Sequence, residues 1–179
     1  MGFVLRSKVV TVEKQGTTQR REQRYERWWD MATFIKERLI KQLKLSEGFK
    51  PKAYWDNKQW SVGYGTRGVK GEVVNRAEAS RRLEQHMDVA VHDFDKLFKG
   101  HDHKFNEVRT EAFIELLYNM GLPELSLFKR TLAAIKFSDN PDWDEVAKHL
   151  KDSKWYRQVG SRGQRIVTEV RTGQKAGAS

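Results

Sequence analysis

The sequence contains no cysteine and only three prolines among its 179 residues. Without cysteine the chain has neither a disulfide framework nor a thiolate zinc site, so its stability must come from packing, and its redox compartment stays open. It also lacks an apolar run of about 18 residues, the minimum for a membrane-spanning helix, and charged residues interrupt its N-terminal stretch. We therefore expect a protein that is soluble as made, with no membrane span.

Positive charge is in excess, with 34 Lys and Arg against 24 Asp and Glu, a net charge of +10 and a pI near 9.8. Such a balance favours polyanionic partners, and nucleic acid and bacterial envelopes are both polyanionic. The basic residues are scattered rather than gathered beside stacking aromatics, so the net charge does not distinguish nucleic acid from a bacterial envelope. An ordinary solvated surface also explains the excess of positive charge.

The first 30 residues differ in composition from the rest of the chain. VLRSKVVTVEK is compatible with a short strand, and TTQRREQRYERWWD is highly charged with three aromatics. We interpret residues 1–30 as a basic extension, either a disordered arm or an anchor that orders on a partner, because few of its residues apart from Trp28 and Trp29 can join a core.

Helical periodicity dominates the chain after this extension. Apolar spacing predicts a helix from Met31 to Leu45, and Lys52–Gly65 predicts two short strands around the turn at residues 56–59. Two longer helices are predicted next: one is capped by Asn75 with Glu78 and ends at Gly100, and the other, mostly core, is capped by Asn106 and ends at Gly121. Three short helices follow at 127–136, 143–151 and 162–171, and Ser161 opens the last of them. The tail from Gly173 is expected to be loose.

Glu47 and Asp56 form the candidate catalytic pair. Glu47 ends the first helical pattern, where the negative end of the helix dipole helps keep a carboxyl protonated, and Asp56 lies on an exposed turn where it should stay ionised. Glycoside hydrolysis needs such an acid and such a base or nucleophile. On the second strand Ser61, Gly63 and Gly65 share one face, which permits close approach of a ligand or another backbone, or marks a bulge or tight twist. The nine-residue spacing alone does not distinguish the pair from an ordinary helix end and turn.

The segment from about Phe34 to Gly173 resembles the phage-type lysozymes, glycoside hydrolase family 24. The family's Glu, Asp, hydroxyl residue and Gly-x-Gly have counterparts, in order, in Glu47, Asp56, Ser61, Gly63 and Gly65. The match continues through the long helix from Asn75, the YNMG segment at 118–121 and the C-terminal stretch at 153–173.

This resemblance implies an α+β, mainly α fold with two lobes, a small antiparallel sheet in the N-terminal lobe, a long inter-lobe helix and a cleft between the lobes. On this basis the lysozyme domain covers residues 31–173, between the extension at 1–30 and a tail at 174–179. Within the domain we assign an N-terminal lobe at 31–74, a linking helix at 75–99 and a C-terminal lobe at 100–173.

The resemblance also implies the activity of a muramidase, a glycoside hydrolase that cleaves the β-1,4 bond between N-acetylmuramic acid and N-acetylglucosamine with inversion, without metal or cofactor. By position, Glu47 is the general acid, Asp56 holds the attacking water, and Ser61 helps orient it. The supporting positions that the resemblance implies are Gly63, Gly65 and Arg162, of which Arg162 pairs with Glu47. The implied substrate-binding positions are Tyr118, Thr131 and His149.

Two departures from the family pattern bear on this site. Ser61 stands where the family usually has threonine, after a turn that is one residue shorter, and Thr66 replaces a histidine that often follows the Gly-x-Gly. A serine keeps the hydroxyl but loses the methyl that restricts its rotamer.

Two other functions stay open. A lytic transglycosylase would cut the same bond without water, and a virion structural or nucleic-acid-binding protein would keep the lysozyme-like fold for another role. We expect a monomer that binds peptidoglycan and whose residues 1–30 contact virion proteins or an anionic envelope, with nucleic acid less favoured. Its location is then the host cytoplasm before release to the periplasm or cell wall, as for an endolysin, or the virion.

Overall fold

The structure is a computed structural model that describes the backbone of residues 2–177 and the side chains of residues 16–177. The chain divides into two compact units between Ile35 and Lys36. One helix, α1, runs from Gly2 to Glu47 and belongs to both units. The strand suggested for VLRSKVVTVEK is therefore wrong, and the helix does not begin at Met31. No proline precedes Pro51, and the helix-favouring Arg, Gln and Glu are frequent before Trp28, so nothing in this stretch stops a helix from propagating.

In the first unit, every side chain from Thr17 to Arg27 is exposed. Trp28, Ala32 and Ile35, which recur at helical spacing, are buried. The rings of Trp28 and Trp29 meet edge to face with their centroids 4.8 Å apart. The aromatic end of the extension is thus buried, while the part before it is a solvent-exposed helix.

The second unit contains the end of α1, a three-stranded sheet and six further helices among the described residues. The sheet is antiparallel in the order β1 (Lys50–Trp55), β2 (Trp60–Gly63), β3 (Thr66–Arg67). The helices are α2 (Arg76–Leu97), α3 (Glu107–Leu125), α4 (Lys129–Lys136), α5 (Trp143–Lys151), α6 (Lys154–Val159) and α7 (Ser161–Thr172), with a short 3-10 turn at Asp102–Lys104. The predicted α+β, mainly α fold with a small antiparallel sheet is confirmed.

Two of the three predicted helix caps are present. The Asn75 side chain accepts from the backbone N–H of Glu78 at 2.8 Å, and Asn106 accepts from that of Arg109 at 2.9 Å. Ser161 does not cap α7, because Gly160 occupies the N-cap position and no side chain caps the helix there. Regular helical geometry in α3 is interrupted at Gly121, as predicted, with φ 81° and ψ 163°.

An aromatic cluster forms part of the core beside α2 and α3. Its ring centroids are 4.7–5.4 Å apart, within the range of favourable aromatic pairs. Its members are Phe94, Phe98, Phe105, Phe113 and Trp143. This cluster anchors the long helix α2 to the helices that follow it.

The tail is not loose where it is described. Asn106 donates to the carbonyl of Gly173 at 2.9 Å, and the Lys175 ammonium lies 2.6 Å from a carboxylate oxygen of Glu111. The backbone N–H of Ala176 donates to Glu169 at 3.4 Å. Within the part of the chain that the structure describes, no helix is both long and apolar enough to cross a membrane.

Candidate active site

Glu47 is the last residue of α1, as the helical pattern predicted. Its Oε1 accepts a hydrogen bond from Arg162 Nη2 at 2.8 Å. The other terminal nitrogen of Arg162 donates to Asn119 Oδ1 at 3.3 Å. Arg162 lies in the first turn of α7, so the end of α1, α3 and the start of α7 meet at this carboxylate.

Asp56 lies in the turn between β1 and β2, and three donors surround its carboxylate. Oδ1 accepts from the backbone N–H groups of Lys58 at 3.0 Å and Gln59 at 2.9 Å, and Oδ2 accepts from Ser61 Oγ at 2.6 Å. The bond from Ser61 is the largest cause that lowers the pKa of Asp56, with smaller contributions from the two backbone donors. Asp56 is exposed and Ser61 is only 1% exposed, so a buried hydroxyl holds an ionised carboxylate at the surface.

The two glycines after Ser61 have different neighbours. Gly63 has φ +67°, and a Cβ added to it would lie 2.7 Å from the Cβ of Ala79 on α2. Gly65 has φ +83°, and a Cβ there would lie 3.5 Å from Glu47 Oε2. Gly63 therefore allows strand β2 to approach helix α2 closely. Gly65 instead leaves the surface beside the Glu47 carboxylate free of a side chain.

A cavity of about 390 Å³ contains both candidate carboxylates. The predicted site residues that line it are Glu47, Asp56, Gly65, Tyr118 and Arg162. Ser61 and Gly63 do not line this cavity: Ser61 donates to Asp56, which does, and Gly63 packs against Ala79 of α2. Thr131 and His149 line a different cavity of about 370 Å³, between α4 and the end of α5.

Of the residues that line the carboxylate cavity without a role assigned from the sequence, three bear most on its chemistry. They are His86 on α2, Asn119 on α3 and Trp155 on α6. The ring of His86 lies 4.4 Å from that of Tyr118, and desolvation lowers the pKa of His86. Burial raises the pKa of Tyr118 to about 12, so its hydroxyl stays protonated at neutral pH. Asn119 and Trp155 belong to segments of the family match, but His86 gave no signal because it sits between the core positions of an amphipathic helix.

The comparison with protein families decides the assignment. Residues 44–171 match the family model described as phage lysozyme. The chain belongs to the phage lysozyme family. The resemblance drawn from the residues is thus confirmed, and membership supports a lysozyme-like, peptidoglycan-lytic role. The matched segment includes Glu47, Asp56 and Arg162, whereas α1 before residue 44 lies outside it.

Two similar proteins described as T4-type lysozymes agree with this assignment, and a third similar protein is a phage spike protein. Probable T4-type lysozyme 1 of Dictyostelium discoideum is 26% identical over 149 residues, covering 80% of this chain and 77% of the relative. Probable T4-type lysozyme 2 of the same organism is 32% identical over 65 residues, 36% of each chain. The pre-baseplate central spike protein Gp5 of Enterobacteria phage T4 is 23% identical over 162 residues, which cover 75% of this chain but only 28% of that protein.

Proposed function

We propose that this protein is a muramidase that hydrolyses the β-1,4 bond between N-acetylmuramic acid and N-acetylglucosamine with inversion. One observation carries the proposal: two carboxylates with different surroundings share one cavity in a member of the phage lysozyme family. Glu47 ends a helix and contacts Arg162, whereas Asp56 accepts three hydrogen bonds that favour its ionised form. The two carboxyls thus have different partners, as distinct acid and base roles require.

In this proposal, Glu47 donates its proton to the glycosidic oxygen as the bond to the anomeric carbon breaks. Asp56 holds a water on the opposite face of the sugar and accepts its proton as the water oxygen bonds to the anomeric carbon. Ser61, already bonded to Asp56 Oδ2, restricts the orientation of the carboxylate. Arg162 fixes the position of Glu47, and Asn119 in turn holds Arg162.

The walls of the cavity suit an oxygen-rich sugar chain. The paired rings of His86 and Tyr118 offer an aromatic surface, which sugars commonly cover with their apolar faces. Asn119 Nδ2 and Trp155 Nε1, on residues that line the cavity, are buried donors without a hydrogen-bond partner among the described residues, so each leaves an unsatisfied donor at the cavity wall. Thr131 and His149 would bind a more distant part of the same substrate, since they line the second cavity.

Replacing the proposed acid tests this function. Glu47→Gln keeps the size of the side chain but removes the transferable proton, so it should abolish clearing of outer-membrane-permeabilised Gram-negative cells. Circular dichroism and thermal unfolding should show a folded variant. Glu84→Gln, at an exposed position of α2, is the matched control and should clear cells like the unchanged protein. Normal clearing by Glu47→Gln would refute the assignment.

A second candidate role is favoured by the exposed part of α1. Since successive helical residues are about 100° apart, Arg20, Arg24 and Arg27 lie on one side of the helix, and Glu22 and Glu26 lie on the other. An arginine face of this kind fits phosphate groups, because each guanidinium can donate two parallel hydrogen bonds. We infer that this segment attaches the enzyme to a polyanionic or virion partner, a role compatible with the likeness to a phage spike protein.

Two measurements separate this role from catalysis. A variant with Arg20, Arg24 and Arg27 changed to Gln should lose salt-dependent binding to duplex DNA or anionic envelope fractions, whereas Glu22→Gln with Glu26→Gln should not. A truncation that removes residues 1–27 spares the buried Trp28 and should retain muralytic activity. Detection of the protein in purified virions would favour a particle-borne lysozyme over one released from the host cytoplasm.

A further inference from the structure

Helix α3 carries a row of polar side chains that leads from the surface to the candidate active site. Glu107, Glu111, Glu115 and Asn119 follow one another at intervals of four residues, so they lie on one face of the helix. The side chain of Glu107 is 53% exposed, whereas those of Glu111 and Glu115 are 0% and 3% exposed. The face that a mostly apolar helix turns inward therefore contains two buried carboxylates.

Cations from other parts of the second unit pair with this row. Arg38 of α1 donates to Glu107 at 3.0 Å and also to Glu111. Lys175 of the tail reaches the other oxygen of Glu111 at 2.6 Å. These contacts tie the helix that ends at Glu47, and the C-terminal tail, to α3.

The inner half of the row joins α3 to α7 at two adjacent points. Arg165 forms a bidentate ion pair, here called the fork, with Glu115: Nη1 donates to Oε2 at 3.1 Å and Nη2 donates to Oε1 at 2.6 Å. Arg162, one helical turn earlier, contacts Asn119 at 3.3 Å and Glu47 at 2.8 Å. Glu115 and Asn119 are one turn apart on α3, and Arg162 and Arg165 are about one turn apart on α7, so the two contacts lie side by side between the helices.

A contribution to stability does not by itself account for the ion pair of Arg165 with Glu115 between α3 and α7. A buried pair loses much of its attraction to desolvation, and well-packed apolar residues of similar volume are often as stabilising. What the Arg–carboxylate fork adds is orientation, since two parallel hydrogen bonds fix the guanidinium plane. Glu169, which also contacts Arg165 at 3.3 Å, restrains the same guanidinium from α7 itself.

We propose that Glu115 and Arg165 are positioning residues: their partly buried fork holds α7 in register with α3 and thereby keeps Arg162 against the Glu47 carboxylate. This role rests on the proposed function of Glu47 as the general acid. It requires no contact of Glu115 or Arg165 with substrate. The groups that face Arg165 in this cluster are Glu115 and Glu169, with Lys175 and Glu111 beside them.

Arg165→Lys tests the proposal because it keeps the charge and removes the fork. An ångström-scale misplacement of a catalytic group costs roughly 100-fold in rate, so we expect kcat to fall about 10- to 100-fold per folded molecule, with KM changed by less than about twofold. A crystal structure of the variant should show Arg162 displaced from Glu47. Glu107→Gln, at the exposed end of the row, is the control and should leave kcat and KM unchanged.

A second variant protects the test against simple misfolding. Glu115→Leu combined with Arg165→Met replaces both charges with apolar side chains, and we expect it to fold and to show the same loss of kcat. Unchanged kcat in either variant, with or without a loss of thermal stability, would overturn the positioning role. Activity of Glu47→Gln would instead overturn the proposed function, so the two failures are distinguishable.

Discussion

Gly63→Ala should destabilise the protein by about 2–5 kcal/mol, and the structure separates this loss into two parts. Gly63 has φ +67°, a left-handed conformation that costs a residue with a Cβ about 1–2 kcal/mol. The new Cβ would also lie 2.7 Å from Ala79 Cβ and 3.3 Å from Ala79 Cα. Carbon atoms do not approach this closely without displacement, and overpacking of this kind costs about 1–3 kcal/mol. Strand β2 and helix α2 must therefore move apart.

Gly71→Ala is the matched control. Gly71 has φ +81° and nothing within 4 Å of the position that a Cβ would take, so its replacement adds backbone strain alone. Urea unfolding followed by circular dichroism gives the free energy of unfolding of each variant. The excess loss in Gly63→Ala over Gly71→Ala should be about 1–3 kcal/mol, the cost of the contact with Ala79.

A double-mutant cycle with Ala79→Gly tests the same contact from the other side. Removing the Ala79 Cβ should recover part of the excess loss in Gly63→Ala, although it costs about 1 kcal/mol in helix propensity by itself. Equal losses in Gly63→Ala and Gly71→Ala, with no coupling to Ala79, would refute the close approach of β2 to α2. Gly63 would then be required only by the twist of its strand.

Two further predictions concern the cavity. Ser61→Ala should raise the pKa of Asp56 toward its ordinary value, because the Ser61 hydroxyl is the main cause of the lowered pKa, so the acid limb of the pH–activity profile should move to higher pH. Ser61→Thr keeps the hydroxyl and should leave that limb in place; an unmoved limb in Ser61→Ala would contradict this role. His86→Ala should raise KM several-fold with little change in kcat, because it removes half of the aromatic surface formed with Tyr118. The exposed neighbour variant Gln85→Ala should not alter either constant, and an unchanged KM in His86→Ala would exclude the ring from substrate binding.

The fold was largely predictable because its signals are local. The caps at Asn75 and Asn106, the turn after Trp55 and the helix end at Glu47 depend on residues close together in sequence. Elements with weak local signals were missed: β3 has only two residues, and α6 has six. The length of α1 was also underestimated, because the exposed stretch before Trp28 carries helix-favouring residues but no amphipathic pattern that would mark it as a helix.

The contacts between distant segments were less predictable. The pairing of Arg162 with Glu47 came from the family resemblance, because no local pattern joins residues 115 positions apart. The buried carboxylates of α3 were hidden in a helix that looked mostly apolar, and their cations come from α1, α7 and the tail. Thr131 and His149, predicted as substrate-binding positions, line a cavity other than that of the two carboxylates, and this placement depends on how α4 packs against α5.

The products of peptidoglycan digestion test the central claim most directly. Purified peptidoglycan should be digested in water enriched in heavy oxygen, and the products followed by mass spectrometry and by proton NMR in the first minutes. We predict reducing-end N-acetylmuramic acid that carries one heavy oxygen and appears first as the α-anomer, with no product from Glu47→Gln. Unlabelled 1,6-anhydro products would contradict hydrolysis and identify a lytic transglycosylase, and a first-formed β-anomer would contradict inversion through a water held by Asp56.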